Sequence, residues 1–423
     1  MNTTVAPANQ HSTRMRGFDH AESFLVVLFA VAVFVWKPGI YVASALIVCY
    51  LLARTAFDLS YRQTLWQHPI TKVTLALFAL GIVTSAISAQ QFEDFFWMLR
   101  KTLFLPALIF FALALAKQQT RNLAMIGLVA SFWIASLVTL ADYGWRMDFG
   151  ARMQGIWPQG TWDNLLGLYL CFLVLWFSWS KASTTARVIY GLTMAMALLM
   201  VVLAGGRAPW LALFLSLGTY FLIFRRDAKV IIGAAVIAAV GVIASVTVFQ
   251  ERTERLIDRV VSIADTRSDD SNWIRLQLWG IGLAHMGDLI RNDPFKAVFG
   301  SGTKSYQATQ IEFFKTMPYD PKARERLSAH GFPSGDTHNN YIDSALRNGL
   351  LWTAAMFLYL IWLPTRFSIS QIRANPQPSI LLLYFYIMAI FYTVVPHFMS
   401  FFFAVFVSLL LAPNTEQADR TES

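Results

Sequence analysis

The stretch "GDTHNNYIDSALRNGLLW", residues 335–352, places a histidine and two asparagines directly before an apolar run. His338, followed by Asn339, is the foremost candidate for chemistry in the chain. Asp336 or Thr337 is expected to cap a helix formed by "HNNYIDSALRNG", and Gly349 to end or kink it. His338, Ile342, Ala345 and Gly349 would then share one face. An imidazole in the first turn meets the positive end of the helix dipole, and in its neutral form it can take a proton from a hydroxyl. Six cations are candidates to work with it: Arg207, Arg275, Arg152, Arg146, Arg100 and Lys101. Guanidinium groups pair phosphate oxygens bidentately, and such bonds strengthen where water is scarce. A base beside these cations describes group transfer from a phosphorylated donor to a hydroxyl acceptor. The plainer alternatives are a polar cap at a membrane surface and cations that anchor to lipid headgroups.

The elements that must position these residues are apolar. Of 423 residues 56% are hydrophobic and 14% charged, against roughly a quarter charged in soluble domains. Repeated apolar runs of about 20 residues read as transmembrane helices. We expect an all-α polytopic membrane protein with about twelve transmembrane helices and one large periplasmic loop containing amphipathic helices. The spans fall near 22–37, 39–54, 70–88, 102–117, 122–141, 162–180, 186–204, 208–224, 230–250, 349–365, 379–395 and 397–412. Residues 1–21 form an N-terminal tail, 22–250 carry spans one to nine, 251–348 form the large loop, 349–412 carry the last three spans, and 413–423 form a C-terminal tail. The first apolar run lacks the small-residue cleavage site of a signal peptide and reads as an uncleaved helix.

Orientation follows from the distribution of Lys and Arg. With Arg14 and Arg16 in the cytoplasm, the short loops holding Arg54 and Arg62, Lys117 and Arg121, Lys181 and Arg187, Arg225, Arg226 and Lys229, and Arg366 and Arg373 are cytoplasmic too, as are both termini. The net charge of +9 would suggest nucleic acid for a soluble chain, but here it follows the membrane and no nucleic-acid partner is expected. Cys49 and Cys171 lie inside apolar runs and behave as small hydrophobes. No histidine pair has metal-ligand spacing and the spans nearly lack carboxylates, so neither a metal nor a cofactor is expected.

The large loop carries the amphipathic stretches "RLIDRVVSIA" and "NWIRLQLWGIGLAHMGDLI", with Trp273 and Trp279 suited to an interface. The six cations named above stand on the side where short loops avoid Lys and Arg, so something other than topology requires them. Arg207, in "AGGRAPW", is held close to the bundle, and Gly205 and Gly206 allow a close backbone approach to a ligand.

"HNNYIDSALRNGLLW" resembles the signature of the O-antigen ligase and polymerase superfamily, which includes protein O-oligosaccharyltransferases. His338, Asn339 and Gly349 match the ligase pattern, while Trp352 departs from its last position. "GGRAPW" and "RLQLW…FGSG" add to the resemblance, as does the architecture. It implies a metal-independent glycosyltransferase of GT-C type, without cofactor, in the bacterial inner membrane with a periplasmic active site. The donor would be an undecaprenyl-pyrophosphate-linked glycan and the acceptor a sugar hydroxyl of the lipid A–core, with membrane lipids around both. His338 would deprotonate or orient that hydroxyl, and Arg207 and Arg275 would hold the pyrophosphate, with Arg100, Lys101, Arg146 and Arg152 as further candidates. The ligase reading is preferred on the form of its histidine motif. A polymerase and a protein O-oligosaccharyltransferase are the alternatives within the superfamily. A transporter, the alternative from another class, would carry charges at mid-span.

Overall fold

The computed structural model describes residues 8–146, 153, 155–178, 182–224, 270–318, 320–329, 337–366, 368–392 and 397–412. All regular structure among them is helical. The helices are α1 (Ala8–Val35), α2 (Lys37–Phe57), α3 (Leu59–Gln67), α4 (Pro69–Ser88), α5 (Phe92–Thr102), α6 (Phe104–Ala114), α7 (Gln118–Arg146), α8 (Gln159–Trp176), α9 (Thr184–Ala204) and α10 (Arg207–Thr219), the last extended by a π-helical turn, Tyr220–Phe224. After residue 270 follow α11 (Asp270–Asn292), α12 (Pro294–Phe299), α13 (Tyr306–Thr316), α14 (Pro321–Ala329), α15 (Asn340–Thr365), α16 (Ile369–Ala374), α17 (Gln377–Phe391) and α18 (Phe398–Leu411).

Eight segments among the described residues are long and apolar enough to cross a membrane: Gly17–Val35, Lys37–Phe57, Pro69–Ser88, Phe92–Ala114, Gln118–Arg146, Thr184–Ala204, Arg207–Phe224 and Asn340–Thr365. Three shorter apolar helices, Gly160–Trp176, Gln377–Phe391 and Phe398–Leu411, occupy three further expected positions. The expected span 230–250 and the stretch "RLIDRVVSIA" lie outside the described residues. Burial explains the short helices. From Trp162 to Leu173 every residue of α8 is buried, and α18 is buried from Phe398 to Leu410. A helix that is apolar all round belongs in a core, and α8 packs on α9, α10, α17 and α18 while α18 also packs on α6.

The cations at the two ends of α2 meet different partners. Where α2 ends, beside the middle of α1, buried Arg54 pairs with Glu22 at 2.7 Å and Lys117 bridges Glu22 and Asp19 at 2.7 and 2.9 Å. At the other end of α2 the cations meet rings. Lys37 Nζ lies 5.2 Å and Lys101 Nζ 4.0 Å from the Phe398 ring, and the Arg100 guanidinium is 5.0 Å from the Tyr41 ring.

The helix expected over "HNNYIDSALRNG" and the span expected from 349 run on as one helix, α15, kinked at Gly349 (φ 82, ψ 159), the position expected to end or kink it. The start of that helix differs from the expectation. The cap of this helix is Asn339, so His338 precedes the helix and lies outside its first turn. Asn339 Oδ1 accepts from the N–H groups of Tyr341 and Ile342 at 3.0 and 3.2 Å. That satisfies two donors a helix start leaves open. Trp352, the departure from the family pattern, is fully buried with its Nε1 2.6 Å from where a Cβ on Gly81 of α4 would stand. The larger ring is accommodated because α4 offers a glycine there.

Candidate functional site

His338 is exposed and has φ 53, one of two non-glycine residues with positive φ among those described. This left-handed conformation costs on the order of 1 kcal/mol or more for a residue with a Cβ, and persists only where the surroundings enforce it. Its neighbours supply the enforcement. The Thr337 N–H and hydroxyl both donate to Asp343 Oδ1, at 2.9 and 2.8 Å. The Tyr306 hydroxyl donates to the same oxygen at 2.9 Å. The Asn339 N–H turns back to Thr337 Oγ1 at 3.3 Å. The backbone on both sides of His338 is therefore tied to one buried carboxylate on the first turn of α15, while the imidazole faces outward.

A second carboxylate fixes the segment that crosses α15. In "FGSGTKS", residues 299–305, the backbone N–H groups of Lys304 and Ser305 donate to Asp94 Oδ1 at 2.6 and 2.8 Å, and the Ser305 hydroxyl donates to Oδ2 at 2.6 Å. The Thr303 hydroxyl donates to the Asp94 carbonyl at 2.6 Å, and Gln90 Nε2 reaches the Ser301 carbonyl at 3.0 Å. The Ser301 N–H then donates to the Leu346 carbonyl at 3.0 Å. Gly300, at φ 99, and Gly349 lie backbone against backbone, and a Cβ on either would occupy the other's chain. This close crossing is why α15 breaks where it does.

The cations separate into groups. Arg275 sits on α11 with its guanidinium 5.9 Å from the Tyr392 ring. That ring lies 3.2 Å from where a Cβ on Gly160 would stand. Arg207, half-buried, opens α10 directly after Gly206, and a Cβ on Gly206 would stand 2.7 Å from Asp163 Oδ2. Gly160 and Asp163 both belong to the first turn and a half of α8, so this helix start gathers the surroundings of Arg207 and Arg275. Gly205 and Gly206 serve the fold here: Gly205 closes α9 at φ 70 and Gly206 makes room for Asp163.

Arg100 and Lys101 fall in a different group at the end of α5. Lys101 is 5% exposed. Its ammonium faces the rings of Phe398, Tyr41 and Trp97 at 4.0, 5.4 and 5.4 Å. Its charged neighbours are Arg100, Lys37 and Arg347, all of like sign. Arg347 is itself buried, with its guanidinium 4.9 Å from the Tyr306 ring. Arg146 is elsewhere, exposed and bridged to Asp142 at 3.0 Å along α7. Arg152 lies outside the described residues.

Reading by sequence missed Asp343, Tyr306, Asp94, Lys37 and Arg347, and took Thr337 only for a helix cap. Asp343 carried one signal, a lone carboxylate at the threshold of an apolar helix. Lys37 carried another, a cation in the short "KPG" turn on the side already marked by misplaced cations. The amphipathic stretch around 272–290 is α11, and its tryptophans face protein: Trp273 takes the Arg326 guanidinium at 4.1 Å and Trp279 lies 6.3 Å from Phe391.

His285 of α11 is buried and stacked on Phe313 at 4.7 Å. Burial pushes its pKa from the ordinary 6.5 down to about 4, against a small opposite pull from Asp288. An unfolded chain binds this proton below about pH 6.5 and the folded chain does not. Stability is therefore whole above that pH and falls by at most roughly 1.4 kcal/mol per pH unit toward pH 4. His285→Leu should flatten the fall in thermal midpoint of the solubilised protein between about pH 7 and pH 5. An unaltered acid profile in that variant would show that this ring does not carry the proton linkage.

Many apolar helices with a polar, cation-rich site at one end of the bundle define a multi-pass membrane protein. Residues 192–357 match the model of the O-antigen ligase family. The segment contains Arg207, Arg275, His338, Asn339, Asp343, Arg347 and Gly349, while Lys37, Asp94, Arg100 and Lys101 precede it. No curated protein matches the chain.

Proposed function

We propose that the protein is an O-antigen ligase that moves a glycan from undecaprenyl pyrophosphate to a sugar hydroxyl of the lipid A–core at the periplasmic face of the inner membrane. The observation that carries this reading is an exposed, left-handed His338 clamped through Asp343 within the family segment. His338 takes the proton of the acceptor hydroxyl as its oxygen attacks the anomeric carbon. The bond from that carbon to the pyrophosphate oxygen breaks, the configuration inverts, and the pyrophosphate departs as an anion. Arg207 and Arg275, around the start of α8, stabilise the charge that develops on it. No metal is assigned a role, because guanidinium groups supply that stabilisation and pyrophosphate is already a good leaving group.

Arg207→Ala should lower kcat/KM for the lipid-linked donor by roughly 10- to 100-fold, the worth of a charge-assisted bond. Unchanged dependence on donor concentration in the purified variant would remove Arg207 from the donor site.

The reading as a whole is tested by lipopolysaccharide electrophoresis of a deletion strain, with the strain carrying the restored wild-type gene as the control that regains the ladder. Loss of the whole ladder to bare core, with lipid-linked polymer accumulating, is the expected result. Core capped with a single repeat unit would instead make the protein the polymerase.

A further inference from the structure

We infer that Lys37, Arg100, Lys101 and Arg347 form a second anion site, separate from that of Arg207 and Arg275, which holds a phosphate of the acceptor glycolipid. This inference rests on the proposed transfer between two lipid-borne substrates. Its first support is the placement of Lys101, an ammonium 5% exposed among cations of like sign, with no carboxylate paired to it among the described residues. Three aromatic faces soften that burial. They do not offset the mutual repulsion of neighbouring positive charges, which an anion carrying more than one negative charge would.

Two polar atoms at the same place also await a partner. The Tyr41 hydroxyl and Arg100 Nε are buried without a hydrogen-bond partner, and the two residues lie 5.0 Å apart from ring centre to guanidinium. Buried donors of this kind are rarely left unmatched in a finished site. An acceptor with several oxygens, such as a phosphomonoester, matches them together with Lys101. Geometry adds that the anion belongs to a lipid. Lys101 lies within the apolar segment Phe92–Ala114, and Phe96, on the helix of Lys101, and Trp36, next to Lys37 in the chain, expose their rings, a surface suited to acyl chains.

The choice of acceptor over donor comes from the reaction. In an inverting displacement the attacking hydroxyl and the departing phosphate stand on opposite sides of one carbon, so cations that follow the leaving group cannot also flank the attacking group. The two cation sets are built by different elements, one around the start of α8 and one by α2, α5 and α15. The residues flanking His338 are linked to both regions. Thr337 packs on α11, the helix of Arg275, with its Cγ2 2.8 Å from where a Cβ on Gly282 would stand. Through Asp343 and Tyr306 it also reaches Arg347.

The test uses the full-length protein in nanodiscs of zwitterionic lipid, with lipid A–core as probe in its phosphorylated and enzymatically dephosphorylated forms. Wild type should bind the phosphorylated form at least about tenfold more tightly, as expected for a charge-assisted contact. Lys101→Met, which removes the charge and keeps the buried volume, should erase that discrimination. Lys37→Gln, at a half-exposed position, should reduce it. In turnover, Lys101→Met should raise KM for the acceptor and leave KM for the donor unchanged. Equal discrimination in wild type and Lys101→Met would overturn the site, and a KM rise confined to the donor would overturn its assignment to the acceptor. Binding needs no turnover, so discrimination that persists in a protein without ligase activity would retain the phosphate site and remove the ligase reading.

Discussion

Replacing His338 with alanine should lower glycan transfer by about 10²- to 10⁴-fold, the range for losing a positioned general base, while the protein reaches the membrane in normal amount. The second half of that expectation follows from exposure. The imidazole fills no core space, and the neighbouring backbone is held by Thr337, Asn339 and Asp343. Alanine keeps the left-handed strain of about 1 kcal/mol that histidine already carries at this position. His338→Gly removes even that strain and should be equally inactive. Transfer at a normal rate in either variant, at normal abundance, would end the assignment of His338 as base.

The second large effect is expected at Asp343. One of its oxygens accepts from the Thr337 N–H, the Thr337 hydroxyl and the Tyr306 hydroxyl. Asp343→Ala removes the acceptor that those donors share, at about 1–3 kcal/mol for each donor left unsatisfied. Asp343→Asn keeps an oxygen in place and loses the charge, so the fold should persist while the loop holding His338 loosens. We expect kcat to fall by roughly 10- to 100-fold with little change in KM, because preorganisation of the base is lost while binding surfaces remain. Tyr306→Phe removes one of three donors and should cost less than Asp343→Asn. A KM increase without a kcat change in Asp343→Asn would place Asp343 in substrate binding in place of base positioning.

The relation between the two predictions shows what a sequence can convey. His338 was legible because an exposed polar residue beside an apolar run is anomalous within a few residues of chain. Its partner Asp343 lies five residues away, yet its role depends on Tyr306 and on a backbone turn that no local pattern specifies. The placement of the cap shows the same limit. Asp336, Thr337 and Asn339 are all competent cap residues. The left-handed turn at His338 and two bonds to Asn339 Oδ1 decide among them. Arg100 and Lys101 were recognised as misplaced charges, but not that they face Lys37 and Arg347 rather than Arg207.

By itself the sequence determined an all-helical, membrane-crossing chain, the approximate positions of its apolar helices, and the histidine motif. These depend on local hydrophobicity and spacing, and the cost of unpaired backbone in lipid leaves helices as the solution for long apolar runs. Only the tertiary structure decided which helices are buried at the centre, where α15 breaks against the loop of Gly300, and which charges share a site. Those outcomes arise from contacts between residues as far apart as Lys37 and Phe398 or Asp94 and Ser305. Such contacts form when side chains that carry no common local pattern pack to satisfy buried charges and hydrogen bonds together.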